Sequence, residues 1–496
     1  MSLSPVQFIA VPLFAAFLIP LIGKASKETV KLVPGIVLLY LSYVALNLFP
    51  RGLERPIVEH IAGFNPPFGI TLYYGPLAAF LTTLVTLIGF VIWLYSYKFI
   101  IREPFEKYYM LFMLLITGST GIILTGDIFN MFVFLEITAI AAYSLTAFLR
   151  DKDGAEAAFK YLLIGSFSST FVLLAILLIY MQTGTLNLAD IALKMADVPI
   201  TMKIFILILF ITGLGIEAEI FPLNGWAPDA YSQAPSPVGA VFGGIVVKAT
   251  IYALMRIVYL MFNFHSVLHF FVIMGVITML IAEMSAMRQH QIKRMLAFSS
   301  IGQMGLVIIA FGLGTEPGVR AALFQMFNHA LIKTLLFFSA GYLVFHSGSK
   351  HISALDGLGR DKPLTSFFFA FGALAIIGLP PFAGFWSKLY ILLSVADAHL
   401  VTVVVLILIS AVIEIVYYLR VVSRLYFKRE TATDVRRTPL SGLAAMGILA
   451  VVILFVGLYP NTILDWLTPA ARELMNTSEY IRTGLHLNSG LLSINF

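Results

Sequence analysis

Several ionisable side chains stand in stretches otherwise built of apolar residues. Glu136 lies about halfway along GDIFNMFVFLEITAIAAYSLTAF, from Gly126 to Phe148. Lys248 lies in VFGGIVVKATIYALMRI, His329 and Lys333 in FNHALIKTLLFF, and Lys388 in GLPPFAGFWSKLYIL. Glu414 lies in LILISAVIEIVYYLR and Glu283 in VITMLIAEMSAM, while Glu217 and Glu219 stand together in ITGLGIEAEIFPLNGW. A charge near the centre of a bilayer costs roughly 2.5–3.5 kcal/mol on insertion scales, so such groups are expected to serve a function. Burial raises the proton affinity of a carboxylate and lowers that of an ammonium, so both can change protonation near neutral pH. A Glu and a Lys that each hold or lose a proton make a relay, and their attraction is made and broken as charge moves. His329 and Lys333 are four apart, hence one helical turn apart on one face. No HxxxH, Cys or paired carboxylate accompanies them, so proton handling is expected there rather than metal binding. Asp127, Arg256, Arg420 and Glu283 sit nearer the ends of their apolar runs; Asp127 is kept as a candidate, and the arginines are expected to snorkel.

Two stretches break helices at membrane depth. Pro222, Pro228, Pro235 and Pro237 punctuate EIFPLNGWAPDAYSQAPSPVGAVFGG, and Pro380 and Pro381, with Gly378 and Gly384, punctuate AIIGLPPFAGFWSKLYIL. Unpaired backbone at depth survives only where it is buried in protein or lines a cavity. Broken helices in corresponding positions of two halves point to an ion site in transporters. Pro222 and Pro380 are 158 positions apart (380 − 222), and Lys248/Glu414 and Glu217–Glu219/Lys388 recur near that offset. EAAFKYLL (156–163) meets RAALFQMF (320–327) in the same register, which suggests an internal repeat.

The elements that position these groups follow from composition. The chain has 496 residues, of which 59% are hydrophobic and 12% charged, with a mean hydropathy of +0.93. Soluble domains carry about 25% charged residues, so this is an integral membrane protein. The absence of Cys excludes Cys-ligated iron–sulfur clusters and thiol chemistry within the chain. No phosphate loop, haem-like His pair or nucleophile–base set is found, and no cofactor is expected. The net charge of +6 is explained by loop cations that orient helices, not by nucleic acid. No basic region precedes the first apolar segment, so no signal peptide is expected.

Apolar runs predict about fourteen spans, near 5–23, 30–49, 71–97, 107–125, 128–149, 158–181, 202–221, 237–261, 266–287, 296–314, 318–346, 366–391, 397–422 and 440–458. Residues 185–198 are too short and mixed to span and read as an interfacial amphipathic piece. The tail 460–496 reads as amphipathic or loose. Alternate loops, from GKASKETVK to SRLYFKRETATDVRR, hold roughly twenty Lys/Arg against about six in the opposite set. The first set is therefore expected in the cytoplasm and both termini outside. Nothing marks a second domain, so residues 1–496 read as one membrane domain.

Five motifs in order resemble one family: DIFNMFVFLEITAIAAYSL, FPLNGWAPDAYSQAPSPVGAVFGGIVVKATIYALMR, QIKRMLAFSSIGQMGLVIIAFG, FNHALIKTLLFFSAGYL and GLPPFAGFWSKLYIL. They are similar to the antiporter-like subunits of respiratory complex I, Mrp Na⁺/H⁺ antiporters and membrane-bound energy-converting hydrogenases. The likeness runs from residue 70 to residue 430. The D type of Mrp resembles it most, because the last motif carries Lys388 and no long lateral helix is expected after it. The resemblance implies an all-α polytopic fold of about fourteen helices with two inverted five-helix repeats, each a half-channel with a broken helix. On that plan residues 1–106 hold three N-terminal helices, 107–261 and 266–428 the two half-channels, and 429–496 the last helix and tail.

By resemblance Glu136 is the glutamate of the fifth helix, Lys248 the lysine of the eighth, His329 the histidine of the eleventh with Lys333 one turn on, and Lys388 the lysine of the broken twelfth. One departure stands out. The family's broken seventh helix carries a lysine nine residues before the tryptophan of its WxPDA-like motif; here that tryptophan is Trp226 and the position holds Glu217. Either Glu136 pairs with Lys248 directly, or a cation such as Na⁺ bridges acids, or the first half-channel is altered. The expected function is movement of H⁺ and/or Na⁺ along Glu136, Lys248, His329, Lys333 and Lys388, in a cell-membrane complex with other membrane subunits. A self-standing antiporter and a non-conducting anchor of a redox complex are the alternatives; a quinone- or hydrogen-reacting enzyme is disfavoured.

Overall fold

In hydrocarbon a backbone must satisfy its own hydrogen bonds, so long apolar runs become helices. The computed structural model describes residues 3–485 except 65, 67, 68, 263 and 428–436. The basic stretch 428–436, from the loop expected in the cytoplasm, and the end of the tail, expected to be amphipathic or loose, lie outside the described residues. From the N-terminus come α1 (Gln7–Ala25), α2 (Lys27–Glu54), α3 (Pro76–Phe99), α4 (Phe105–Leu124), α5 (Ile128–Thr146) and α6 (Lys152–Thr183). A short α7 (Leu188–Lys194) leads to α8 (Ile200–Glu217), the short α9 (Ala227–Gln233) and α10 (Ser236–Met261). Then follow α11 (His265–Met287), α12 (Ile292–Gly312), α13 (Glu316–Ser347), α14 (Pro363–Ile377), α15 (Ala383–Asp397), α16 (Val401–Phe427) and α17 (Leu440–Leu458). Two short helices, α18 (Asn461–Met475) and α19 (Thr477–Gly484), close the described chain.

Thirteen of these helices are long and apolar enough to cross a membrane, and the protein is a polytopic helical membrane protein. The span expected at 366–391 is two shorter helices, α14 and α15, separated at residues 378–382. Gly378 takes φ +92° and Pro380–Pro381 follows, a combination that no continuous helix accommodates. The other break lies between α8 and α9, where Glu219 takes φ +61° and Pro222 follows.

The fold is helical as expected, with one small addition among the described residues, a hairpin of β1 (Ile57–His60) paired antiparallel with β2 (Thr71–Tyr74), Ile57 opposite Tyr74 and His60 opposite Thr71. Strands this short fall below any window that detects spans, and the apolar run predicts a helix that already begins at Thr71. Residues 185–198, read as an interfacial amphipathic piece, contain the short helix α7 and are tied down by backbone hydrogen bonds. Gly126 N donates to Thr71 O (2.7 Å), Ile128 N to Leu186 O (2.9 Å) and Leu188 N to Gly126 O (2.8 Å), which fastens α7 to the hairpin and the start of α5. One expectation needs correction, because Arg256 does not snorkel: it is buried and ion-paired with Glu473 of α18, whose other oxygen accepts from Leu77 N (2.8 Å). The tail thereby clamps α3 to α10.

The most enclosed spans are α10, α12 and α13, and the least enclosed are α1 and α16. The outer helices present Phe14, Phe17, Val405 and Val412, the surface expected against lipid or neighbouring subunits. Small residues let the inner helices approach closely. A Cβ on Gly275 of α11 would lie 2.8 Å from Gly305 O of α12, and one on Gly244 of α10 would lie 2.7 Å from Thr334 Oγ1 of α13. The second approach sets Lys248 and His329 face to face.

Candidate functional site

Lys248 sits just after a turn of π-helix, Phe242–Val246, inside α10. Such turns leave carbonyls free for other donors and recur at functional sites. The Lys248 ammonium donates to the Gly243 carbonyl and meets His329 Nδ1 of α13. On the other side of the ring, His329 Nε2 lies 3.2 Å from Ser300 Oγ of α12. One turn on, Lys333 donates to Ser299 Oγ (2.7 Å), Tyr418 Oη (3.1 Å) and Leu296 O (3.2 Å). All of these side chains are buried.

The line continues toward the second break. Gln325 donates to Gln303 Oε1 (2.6 Å), and Gln303 donates to Glu414 Oε1 (2.8 Å). The second oxygen of Glu414 is ion-paired with Lys388 of α15. Lys388 also donates to Ile377 O (3.2 Å), so its ammonium satisfies a carbonyl at the end of α14 across the break. Glu283 of α11, one turn before the helix ends at Met287, lies against Gly302 and within electrostatic reach of Glu414, so it belongs to this group as well.

The first half is arranged differently. Glu136 accepts from Ser169 of α6, and Glu217, at the end of α8, accepts from Tyr161 Oη (3.3 Å). Tyr161 is itself stacked on Trp226, ring centroids 3.7 Å apart, and Trp226 Nε1 donates to Ile216 O (3.0 Å), which holds the break together. Glu219 is wholly buried beside Tyr231, with Lys248 and Lys333 within electrostatic reach. The direct Glu136–Lys248 pair is not made: Glu136 turns to α6, and the π-turn gives Lys248 to Gly243 and His329. The buried ion pairs among the described residues are Arg256–Glu473 and Lys388–Glu414.

Asp127 caps α5, accepting from Asn130 N (2.7 Å), and lines a surface cavity with Asn130 and Thr185. Arg420 donates to Met287 O (2.9 Å) and Gln289 O (2.8 Å), closing the end of α11. Sequence reasoning passed over Ser299, Ser300, Gln303, Tyr418, Tyr161 and Ser169. The first three share one side of α12, and their spacing within QIKRMLAFSSIGQM was the available signal. Among the described residues no three of His, Cys, Asp or Glu come together as a metal site would require.

Two broken helices around a buried ladder of lysines, histidine and carboxylates define an antiporter-like membrane protein. Residues 125–414 match the family described as NADH:quinone oxidoreductase/Mrp antiporter, TM, and the chain belongs to that family. It is 34% identical over 489 residues to NADH-quinone oxidoreductase subunit N of Desulforudis audaxviator, covering 93% of this chain and 97% of that one. It is 31% identical over 366 residues to the D-type component of the Na(+)/H(+) antiporter of Alkalihalophilus pseudofirmus, covering 72% of this chain and 73% of that one. A solved chain of the membrane-bound sulfane sulfur reductase, an archaeal respiratory membrane complex, matches with TM-score 0.92 and 40% identity over 97% of this chain and 100% of that one. The family resemblance carried by the five motifs is thus borne out.

Proposed function

We propose that this chain is the H⁺- and/or Na⁺-translocating membrane subunit of a multisubunit energy-converting complex. Charge moves along Glu136, Lys248, His329, Lys333 and Lys388. Residues 107–261 and 266–428 act as two half-channels joined where Lys248 meets His329. The complex lies in the cell membrane, both termini of this chain face outward, and other membrane subunits cover its apolar flanks. The relatives' assignment to a quinone oxidoreductase, an Mrp antiporter and a sulfur reductase supports the subunit role.

The observation that carries this reading is the run of contacts from Gly243 through Lys248 and His329 to Ser300, beside Ser299–Lys333–Tyr418 and Gln303–Glu414–Lys388. A proton arriving on the Lys248–His329 pair biases the next site by charge alone. Two unit charges one helical turn apart, about 6 Å, interact by about 3 kcal/mol at an effective dielectric of 20. That is roughly a hundredfold change in proton occupancy. Hydroxyls of Ser299, Ser300 and Tyr418 can both donate and accept, so they pass protons between the fixed groups.

Proton flux of the assembled complex in proteoliposomes tests the reading. E136Q and K248A should each reduce flux sharply with assembly intact; wild-type flux in both would reject the relay. A second reading, a non-conducting anchor, is favoured by one observation: the position nine residues before Trp226, a lysine in the family resembled, holds Glu217. Redox activity that keeps its sensitivity to membrane potential when every buried Glu and Lys here is neutralised would decide for the anchor.

A further inference from the structure

Where α10 turns into α11, away from the buried line, two histidines stand on one face of a helix. HSVLH, from His265 to His269, opens α11, so the two side chains are four residues apart and project side by side. Both residues are exposed, and their rings lie with centroids 4.5 Å apart and planes 38° apart. Among the described residues neither ring takes part in a hydrogen bond or an ion pair, so no other side chain competes for their nitrogen lone pairs.

Histidines at this spacing let a helix offer two imidazoles to one metal ion. An ion held by both rings at about 2.1 Å, with about 90–110° between the bonds, sets the ring centroids roughly 4.5–5.2 Å apart. The rings already stand at the near edge of that range. We propose that His265 and His269 form a two-histidine site for a borderline divalent cation, Zn²⁺, Cu²⁺ or Ni²⁺, with water completing the coordination shell. Imidazole suits these ions, whereas Ca²⁺ and Mg²⁺ take oxygen ligands. A resident metal centre draws three or four ligands from the protein. Two ligands, at a helix N-terminus whose dipole opposes a cation, make instead a site that fills and empties with the concentration of the ion. The turn that it braces belongs to the helix that carries Glu283. The site goes beyond ion translocation and stands or falls on metal binding alone.

The experiment is titration of Cu²⁺ and Zn²⁺ into the purified full-length chain, free of any histidine tag, in phosphatidylcholine nanodiscs. Calorimetry gives affinity, and electron paramagnetic resonance of the Cu²⁺ form counts its nitrogen ligands. The expected result is a saturable site showing two imidazole nitrogens, with affinity falling from Cu²⁺ through Ni²⁺ to Co²⁺ and Mn²⁺ and with Mg²⁺ and Ca²⁺ failing to compete. H265A and H269A should each weaken binding by roughly 10²–10⁴-fold, because the second ligand no longer acts within the same molecule. H269A/F270H keeps two histidines but turns one off the shared face, so it should bind no better than H269A. Both histidines are exposed, so the single variants should fold as wild type does, which melting curves check; if H269A/F270H fails to fold, the single variants decide. Wild-type affinity in H265A, H269A or H269A/F270H, or a Cu²⁺ spectrum with fewer than two nitrogens, would overturn the site.

Discussion

Replacing Gln303 by leucine isolates one junction of the buried line without removing a charge. Gln303 is 1% exposed, donates to Glu414 Oε1 at 2.8 Å and accepts from Gln325 at 2.6 Å. Leucine fills similar space and offers neither bond. Glu414 then keeps Lys388 on one oxygen and loses its donor on the other. A hydrogen bond to a charged group is worth about 1.5–3 kcal/mol. If protons cross this junction, that loss raises the barrier and slows flux roughly tenfold to 150-fold. The assay is dye-reported proton uptake by proteoliposomes holding the assembled complex, driven by a potassium diffusion potential. Q325L is the graded control: Gln325 reaches Glu414 only through Gln303, and a neutral hydrogen bond contributes about 0.5–1.5 kcal/mol, so its effect stays within about tenfold. Flux in Q303L within twofold of wild type, with assembly intact, would refute the claim that charge passes Glu414.

Two further outcomes concern the scaffold. E473A leaves Arg256 buried and unpaired, which should cost about 3–5 kcal/mol and lower the unfolding temperature in detergent; the paired change R256M/E473L should recover most of it. G244A places a methyl 2.7 Å from Thr334 Oγ1 and should push α10 from α13 at a cost of about 1–3 kcal/mol, with reduced proton flux. T334A added to G244A should restore both stability and flux; failure to do so would show that this approach does not position Lys248.

Much of the site was legible because ionisable residues are conspicuous in apolar runs. Glu136, Lys248, His329, Lys333, Lys388 and Glu414 announce themselves by their surroundings, and Pro222 and Pro380–Pro381 mark the breaks because proline removes a backbone donor. Partnerships were less legible. Lys248 turns to His329 instead of Glu136 because of a π-turn at Gly243–Gly244, and two adjacent glycines look the same whether they permit close packing or a wider turn. Arg256 sits near a helix end, where snorkelling is the default, yet Glu473 reaches it from 217 positions away. No local pattern encodes that meeting. Gln303 was overlooked because it carries no charge; only the three-dimensional fit to Glu414 reveals that it joins two titratable groups to one another.

The most direct measurement of the central claim is proton flux through the assembled complex carrying K333M. Methionine keeps the length of the side chain and removes a buried charge, so thermal stability should hold or rise, as replacement of buried charges by apolar groups often allows. Flux should fall to the level of protein-free vesicles while the complex still assembles. Wild-type flux in K333M would contradict passage of charge through Lys333.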